Sequence, residues 1–176
     1  MRNSHPVNSQ GMTHGDRELK RLAERVGRRL LKQGRHMATA ESCTGGWIAK
    51  AITDIAGSSQ WLLEGFVTYS DAAKIRQLGV SRTVLKINGA VSEATVRAMA
   101  MGALRRSGAQ IAVAVTGIAG PGGAVAGKPV GTVWLGWATH RGRTIQVGTL
   151  LKRFRGDREA VRRKTVRAAL EGLLTR

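Results

Sequence analysis

Three hydroxyl- or glycine-rich turns in this 176-residue chain have residue types that could do chemistry. The first is Ala40-Glu41-Ser42-Cys43-Thr44-Gly45-Gly46. A short apolar approach precedes it, and Trp47, Ile48, Ala51, Ile52 and Ile55 follow at helical spacing. That is a strand, a turn and a helix. A helix start offers unpaired N–H groups and the positive end of the dipole, which hold an anion or a developing oxyanion. Ser42 and Thr44 place hydroxyls there, and Gly45 and Gly46 let a ligand approach the backbone. Two readings are open: a nucleophile or phosphate site, or a hydroxyl that caps the helix.

The second turn is Tyr69-Ser70-Asp71-Ala72-Ala73-Lys74, and the third is Thr116-Gly117-Ile118-Ala119-Gly120-Pro121-Gly122-Gly123. A serine needs a base to become nucleophilic. His5, His14, His36 and His140 lie near the start of the chain or at a late turn, whereas Lys74 follows a strand as Ser42 does. A desolvated lysine can accept a proton, and a Ser-Lys pair is one variant of the triad logic. The alternative places Lys74 in solvent and leaves Tyr69 as a strand-end aromatic. The third turn has neither the closing Gly-Lys-Ser/Thr of a P-loop nor a G-x-G-x-x-G pattern. Its side-chain-poor backbone fits contact with a ligand or a plain tight connection. The histidines and the one cysteine show no metal-ligand spacing, so no metal and no cofactor is expected.

The elements that must position these turns follow from periodicity. Residues 1–15 read as a mobile tail. A helix from Asp16 carries Leu19, Leu22, Ala23, Val26 and Leu30 on one stripe, with Gly34 as its stop. Strands are expected over 37–40, 61–70, 111–115, 130–138 and 144–151, the last with Ile145, Val147 and Leu151 on one face. Further helices are expected after the first turn as far as Gly57, from Asp71 as N-cap to Leu78, from Ser92 to Gly108, and from Asp157. Residues 79–89 read as a connection. Residues 16–176 thus form a single α/β domain, a mixed β-sheet with packed helices. Its three turns all lie at strand ends, where ligands of α/β sheets collect.

The formal charge is +18, mostly arginine. Its excess sits at the two ends of the chain, where helices are expected. Charge alone supplies non-specific affinity, so nucleic acid is not expected as the main partner. No apolar run approaches the roughly 20 residues of a membrane span. No secretory h-region is present at the N-terminus, and a lone Cys43 fits a reducing compartment, hence a cytoplasmic location.

Several motifs taken together resemble the C-terminal domain of the CinA family. They are Ala40–Gly46 with Asp54-Ile55-Ala56-Gly57-Ser58-Ser59, Gly65–Ser70 before Lys74, Gly89-Ala90-Val91-Ser92, Thr116–Gly123, and Lys128–Val133. The likeness spans roughly residues 16 to 175. It implies hydrolysis of the carboxamide of nicotinamide mononucleotide, giving nicotinate mononucleotide and ammonia in pyridine nucleotide recycling. It implies Ser42 as nucleophile, with Lys74 and Tyr69 as its activating partners. Thr44, Gly45, Gly46, Thr116, Gly117, Gly120, Gly122 and Gly123 would hold the substrate. Phe154-Arg155-Gly156-Asp157-Arg158 also resembles the family, and Arg155 and Arg158 would meet a phosphate. The segment Ala124–Gly127 departs from the family pattern. The large N-terminal domain of many relatives is not found in this sequence, which resembles the stand-alone amidohydrolases. The partners expected are a small-molecule nucleotide and further copies of the chain, with no membrane. The alternative is a non-catalytic nucleotide- or DNA-binding module linked to competence or DNA damage.

Overall fold

The computed structural model describes residues 12–176, and the part of the expected tail over 1–11 lies outside the described residues. Five strands form one mixed sheet: β1 (Met37–Glu41), β2 (Leu62–Val67), β3 (Ile111–Gly117), β4 (Thr132–Arg141) and β5 (Thr144–Arg153). Their order is β2-β1-β3-β4-β5. β1 runs parallel to both β2 and β3, and β4 and β5 are antiparallel additions at one side. This is the α/β architecture with a mixed sheet that the sequence implies.

Among the described residues six helices cover the two faces: α1 (His14–Lys32), α2 (Trp47–Thr53), α3 (Asp71–Leu78), α4 (Arg82–Asn88), α5 (Glu93–Ser107) and α6 (Arg158–Leu173). A 3-10 turn, Ser58–Gln60, leads into β2. Alternation along the buried strands separates two cores. Met37, Ile111, Val113, Val115, Val133, Leu135 and Trp137 pack with α1, α2 and α6. Ala38, Ala40, Ala112, Ala114 and Ala138 pack with α3, α4 and α5. Small residues on that second face let α5 lie close to the sheet.

Several boundaries differ from the expectation for local reasons. Helix α1 starts at His14, because Thr13 and Asp16 close a capping box. Ser70, not Asp71, caps α3 by accepting from the Ala73 N–H. The connection over 79–89 contains a helix, α4, which Ser81 caps and which buries only Leu85. One buried apolar residue leaves too little periodicity to read. Leu151 is 39% exposed, so the half-buried alternation of β5, at Ile145, Val147 and Thr149, stops short of it.

Candidate active site

The strand order decides which turns meet. β1 lies between β2 and β3, so the turns after these three strands are neighbours. The ladder runs one residue past the strands: Thr68 N–H donates to the Glu41 carbonyl at 2.8 Å, and Ser42 N–H to the Val115 carbonyl at 3.2 Å. Ser42 therefore sits in a row with Thr68 and Thr116. By alternation its side chain shares the face of Ala38 and Ala40, under α3 and α5, while Cys43 joins the opposite core.

Lys74 rises into that face from the first turn of α3. Its side chain is 1% exposed. Its Nζ lies 3.3 Å from Ser42 Oγ, 3.0 Å from the Thr68 carbonyl oxygen and 3.3 Å from that of Tyr69. The nearest carboxylate oxygen in ion-pair range is that of Asp71, at 4.0 Å and half-exposed. Burial pushes the Lys74 pKa below that of an ordinary lysine, and Asp71 and Cys43 oppose this more weakly. A neutral amine has two N–H donors and one lone pair. In that uncharged form, with the two carbonyls as acceptors, the lone pair would face the Ser42 hydroxyl.

The helix-cap reading of Ser42 and Thr44 is corrected here. The N-cap of α2 is Gly46, in the left-handed region at φ 93°, with no side-chain cap at that residue. The buried carboxylate of Glu41 does the capping from the end of β1. It accepts from Ile48 N–H at 2.9 Å, from Ala49 N–H at 2.8 Å and from the Thr44 hydroxyl at 2.6 Å. Three donors on one carboxylate satisfy its buried charge and fix the turn. The Thr44 hydroxyl is thus engaged, while its N–H is not. Among the described residues, no hydrogen bond claims the N–H groups of Cys43, Thr44 and Gly46, whereas Gly45 N–H donates to the Ser42 carbonyl at 3.0 Å. Gly45 and Gly46 are both at positive φ, which only glycine adopts without strain.

The other expected residues fall as follows. Tyr69 is 62% exposed, and its hydroxyl accepts from Arg158 Nη2 at 3.1 Å rather than meeting Ser42 or Lys74. Arg158 Nη1 also donates to the Gly120 carbonyl at 2.7 Å, so it bridges the second and third turns. Thr116 is buried and donates its hydroxyl to the Ala90 carbonyl at 2.8 Å. Gly117 packs against β4, where an added Cβ would lie 2.8 Å from the Thr132 carbonyl oxygen. Gly122 and Gly123 are exposed, as is Arg155, whose carbonyl accepts from Lys164. A cleft of about 750 Å³ opens beyond the first turn, between α1, α2 and α6. Gly45, Gly46, Trp47, Lys50 and Arg162 line it, but Ser42 and Lys74 do not. The Ser42 thiol neighbour, Cys43, is buried, and burial pushes its pKa up to about 12. Among the described residues, no group of three or more His, Cys, Asp or Glu side chains converges.

Glu41, Arg162 and the Thr68 carbonyl are the contributors that sequence reasoning did not assign. Glu41 carried a signal, an acid at a strand end before a glycine-opened helix. A backbone carbonyl carries none.

Comparison with known proteins fits this geometry. The CinA C-terminal domain profile matches residues 19–176. The nicotinamide-nucleotide amidohydrolase PncC of Escherichia coli K12 is 53% identical over 158 residues, which cover 90% of this chain and 94% of that protein. The PncC of Pseudomonas putida is 54% identical over 153 residues, covering 87% and 93%. The crystal structure of the competence/damage inducible protein CihA from Agrobacterium tumefaciens superposes with a TM-score of 0.84 at 47% identity, over 90% of this chain and 94% of that one. The chain belongs to the CinA C-terminal domain family.

Proposed function

We propose that this protein hydrolyses the carboxamide of nicotinamide mononucleotide, in the cytoplasm, as a step of pyridine nucleotide recycling. The observation that carries the reading is the 3.3 Å approach of a buried, desolvated Lys74 amine to Ser42 Oγ. The name of the PncC relatives supports the substrate class.

The steps follow from the groups in place. Lys74 Nζ takes the Ser42 hydroxyl proton as Oγ attacks the carboxamide carbon. The carbonyl oxygen becomes an oxyanion, and the unclaimed N–H groups of Cys43 and Thr44 are the donors for it. The tetrahedral adduct collapses with cleavage of the C–N bond. The Lys74 ammonium gives its proton to the departing nitrogen, which leaves as ammonia. Water, deprotonated by the same amine, then attacks the ester on Ser42. The nicotinate nucleotide departs and Ser42 recovers its proton.

Thr116 stands in the row that holds Ser42, and we assign the nucleotide to it, to the backbone of Gly117, Gly120, Gly122 and Gly123, and to the Thr44–Gly46 backbone. We assign the 5′-phosphate to Arg158, which bridges Tyr69 and Gly120, and to Arg155. We place the Tyr69 phenol at the entrance, where its exposed ring meets the substrate while its carbonyl holds Lys74. Assembly with further copies of the chain belongs to the same reading. The test is ammonia release from a panel of pyridine amides. Nicotinamide mononucleotide is expected to be the best substrate and the riboside without phosphate a much poorer one, because remote binding energy orients the amide. No ammonia from any member would refute the reading.

A further inference from the structure

The turn that carries Ser42 is held from behind by one guanidinium. Arg162, on α6, donates from Nε to the Cys43 carbonyl at 3.2 Å and from Nη2 to the Thr44 carbonyl at 2.7 Å. The same guanidinium stacks on Trp47, 5.3 Å from the ring centroid, which fixes its plane. A planar trans peptide directs its C=O and N–H to opposite sides. Pinning the Cys43 carbonyl on the α6 side therefore aims the Thr44 N–H away from α6. Cys43 is buried in the α6 core, and Ser42 lies with Lys74 across the sheet from it. The Thr44 N–H is thus turned from α6 and unclaimed among the described residues. The Thr44 carbonyl pins the next peptide in the same way, and that peptide's N–H reaches the Ser42 carbonyl.

Glycine follows at once: Gly45, at φ 62°, has no Cβ to resist a flip of the Thr44–Gly45 peptide, whose carbonyl Arg162 holds. A cation on the carbonyl also polarises the peptide and strengthens its N–H as a donor. We propose that Arg162 is a positioning residue: its guanidinium, bound to the Cys43 and Thr44 carbonyls, holds the Thr44 N–H in place for the oxyanion of the reaction at Ser42. This rests on the amidase reading above.

The experiment compares Arg162→Met, Arg162→Lys, Arg163→Met and Ser42→Ala in steady-state ammonia release from nicotinamide mononucleotide, with thermal unfolding of each. Arg163 also stacks on Trp47 and pairs with Asp16 and Glu159, but makes no bond to the turn. Arg162→Met is expected to lower kcat about a hundredfold, the usual loss for one oxyanion donor, with KM nearly unchanged. Arg162→Lys, with its compact charge in place of the planar fork, is expected to fall between that and the native enzyme. Arg163→Met is expected to keep kcat while losing thermal stability. If Arg162→Met does not fold, the Arg162→Lys value decides: native kcat overturns the proposal. A raised KM at native kcat makes Arg162 a substrate contact and also overturns it. An equal loss of kcat in Arg163→Met reduces it to packing. Activity surviving in Ser42→Ala would instead sink the amidase reading itself. An inactive Ser42→Ala beside a fully active Arg162→Met would sink only this inference.

Discussion

Lys74 acts in this scheme as an uncharged amine, and burial, which lowers its pKa, shifts it toward that form. Lys74→Arg keeps the charge but stays protonated, so it cannot serve as base. Both Lys74→Arg and Lys74→Ala are expected to lose about a hundredfold to ten-thousandfold in kcat, with KM much less affected. Near-native turnover of Lys74→Arg, measured as ammonia release, would remove Lys74 from the chemistry. Cys43 adjoins the nucleophile yet is a protonated, buried thiol. Cys43→Ala is expected to keep most of its activity, and iodoacetamide to leave the native enzyme active. Rapid inactivation by iodoacetamide would show a reactive thiolate instead. Ser42 and Lys74 stood out because each follows an expected strand, but spacing left a helix cap and a solvated lysine open, and it was the family resemblance that paired them. The partners of Tyr69 were not, since its sequence position beside Lys74 says nothing about the Arg158 that holds its hydroxyl.

Two elements set the distance between Ser42 and Lys74. Helix α2 hangs on the Glu41 carboxylate, and α3 rests on α5. Glu41→Ala leaves two buried donors and a half-buried third without an acceptor, at about 1–3 kcal/mol for each buried group. Urea unfolding is expected to show a loss of that order, accompanied by lost turnover; an unchanged midpoint would mean that the turn holds itself. On α5, Gly102 faces the Leu78 carbonyl, and an added Cβ would collide with it. Gly102→Ala is therefore expected to push α3 outward, costing about 1–3 kcal/mol as overpacking does. It should also lower kcat, because α3 carries Lys74. The periodic stripes of α1 and α5 and the apolar run of β3 were legible in the sequence. Helix α4 was not, because it is seven residues long and buries one of its three apolar side chains. The cap by Glu41 was not either, because a carboxylate one strand-end away satisfies a helix that the pattern rules expect its own N-cap to serve.

At the scale of the whole molecule, the net charge of +18 belongs mostly to exposed arginines and lysines. DNA binding by such a surface is expected to be weak and to fall steeply with salt. A gel shift that survives physiological salt would favour the nucleic-acid alternative. None of the helices among the described residues is long and apolar enough to cross a membrane. Global stability reports on the site as well. Lys74 has a folded pKa below its unfolded value near 10.4, so between the two the unfolded chain binds the extra proton. Stability from this group is therefore gained as pH rises through that window, and is absent below it. The unfolding free energy of the native protein is expected to improve relative to Lys74→Met as pH is raised toward 10; a constant difference would mean that Lys74 is not desolvated. The most direct test of the reaction itself is ammonia release from nicotinamide mononucleotide by Ser42→Ala, with its circular dichroism checked against the native protein. Loss of the nucleophile is expected to cut kcat by about a thousandfold or more in a folded protein. Turnover near the native rate would contradict an acyl-enzyme on Ser42.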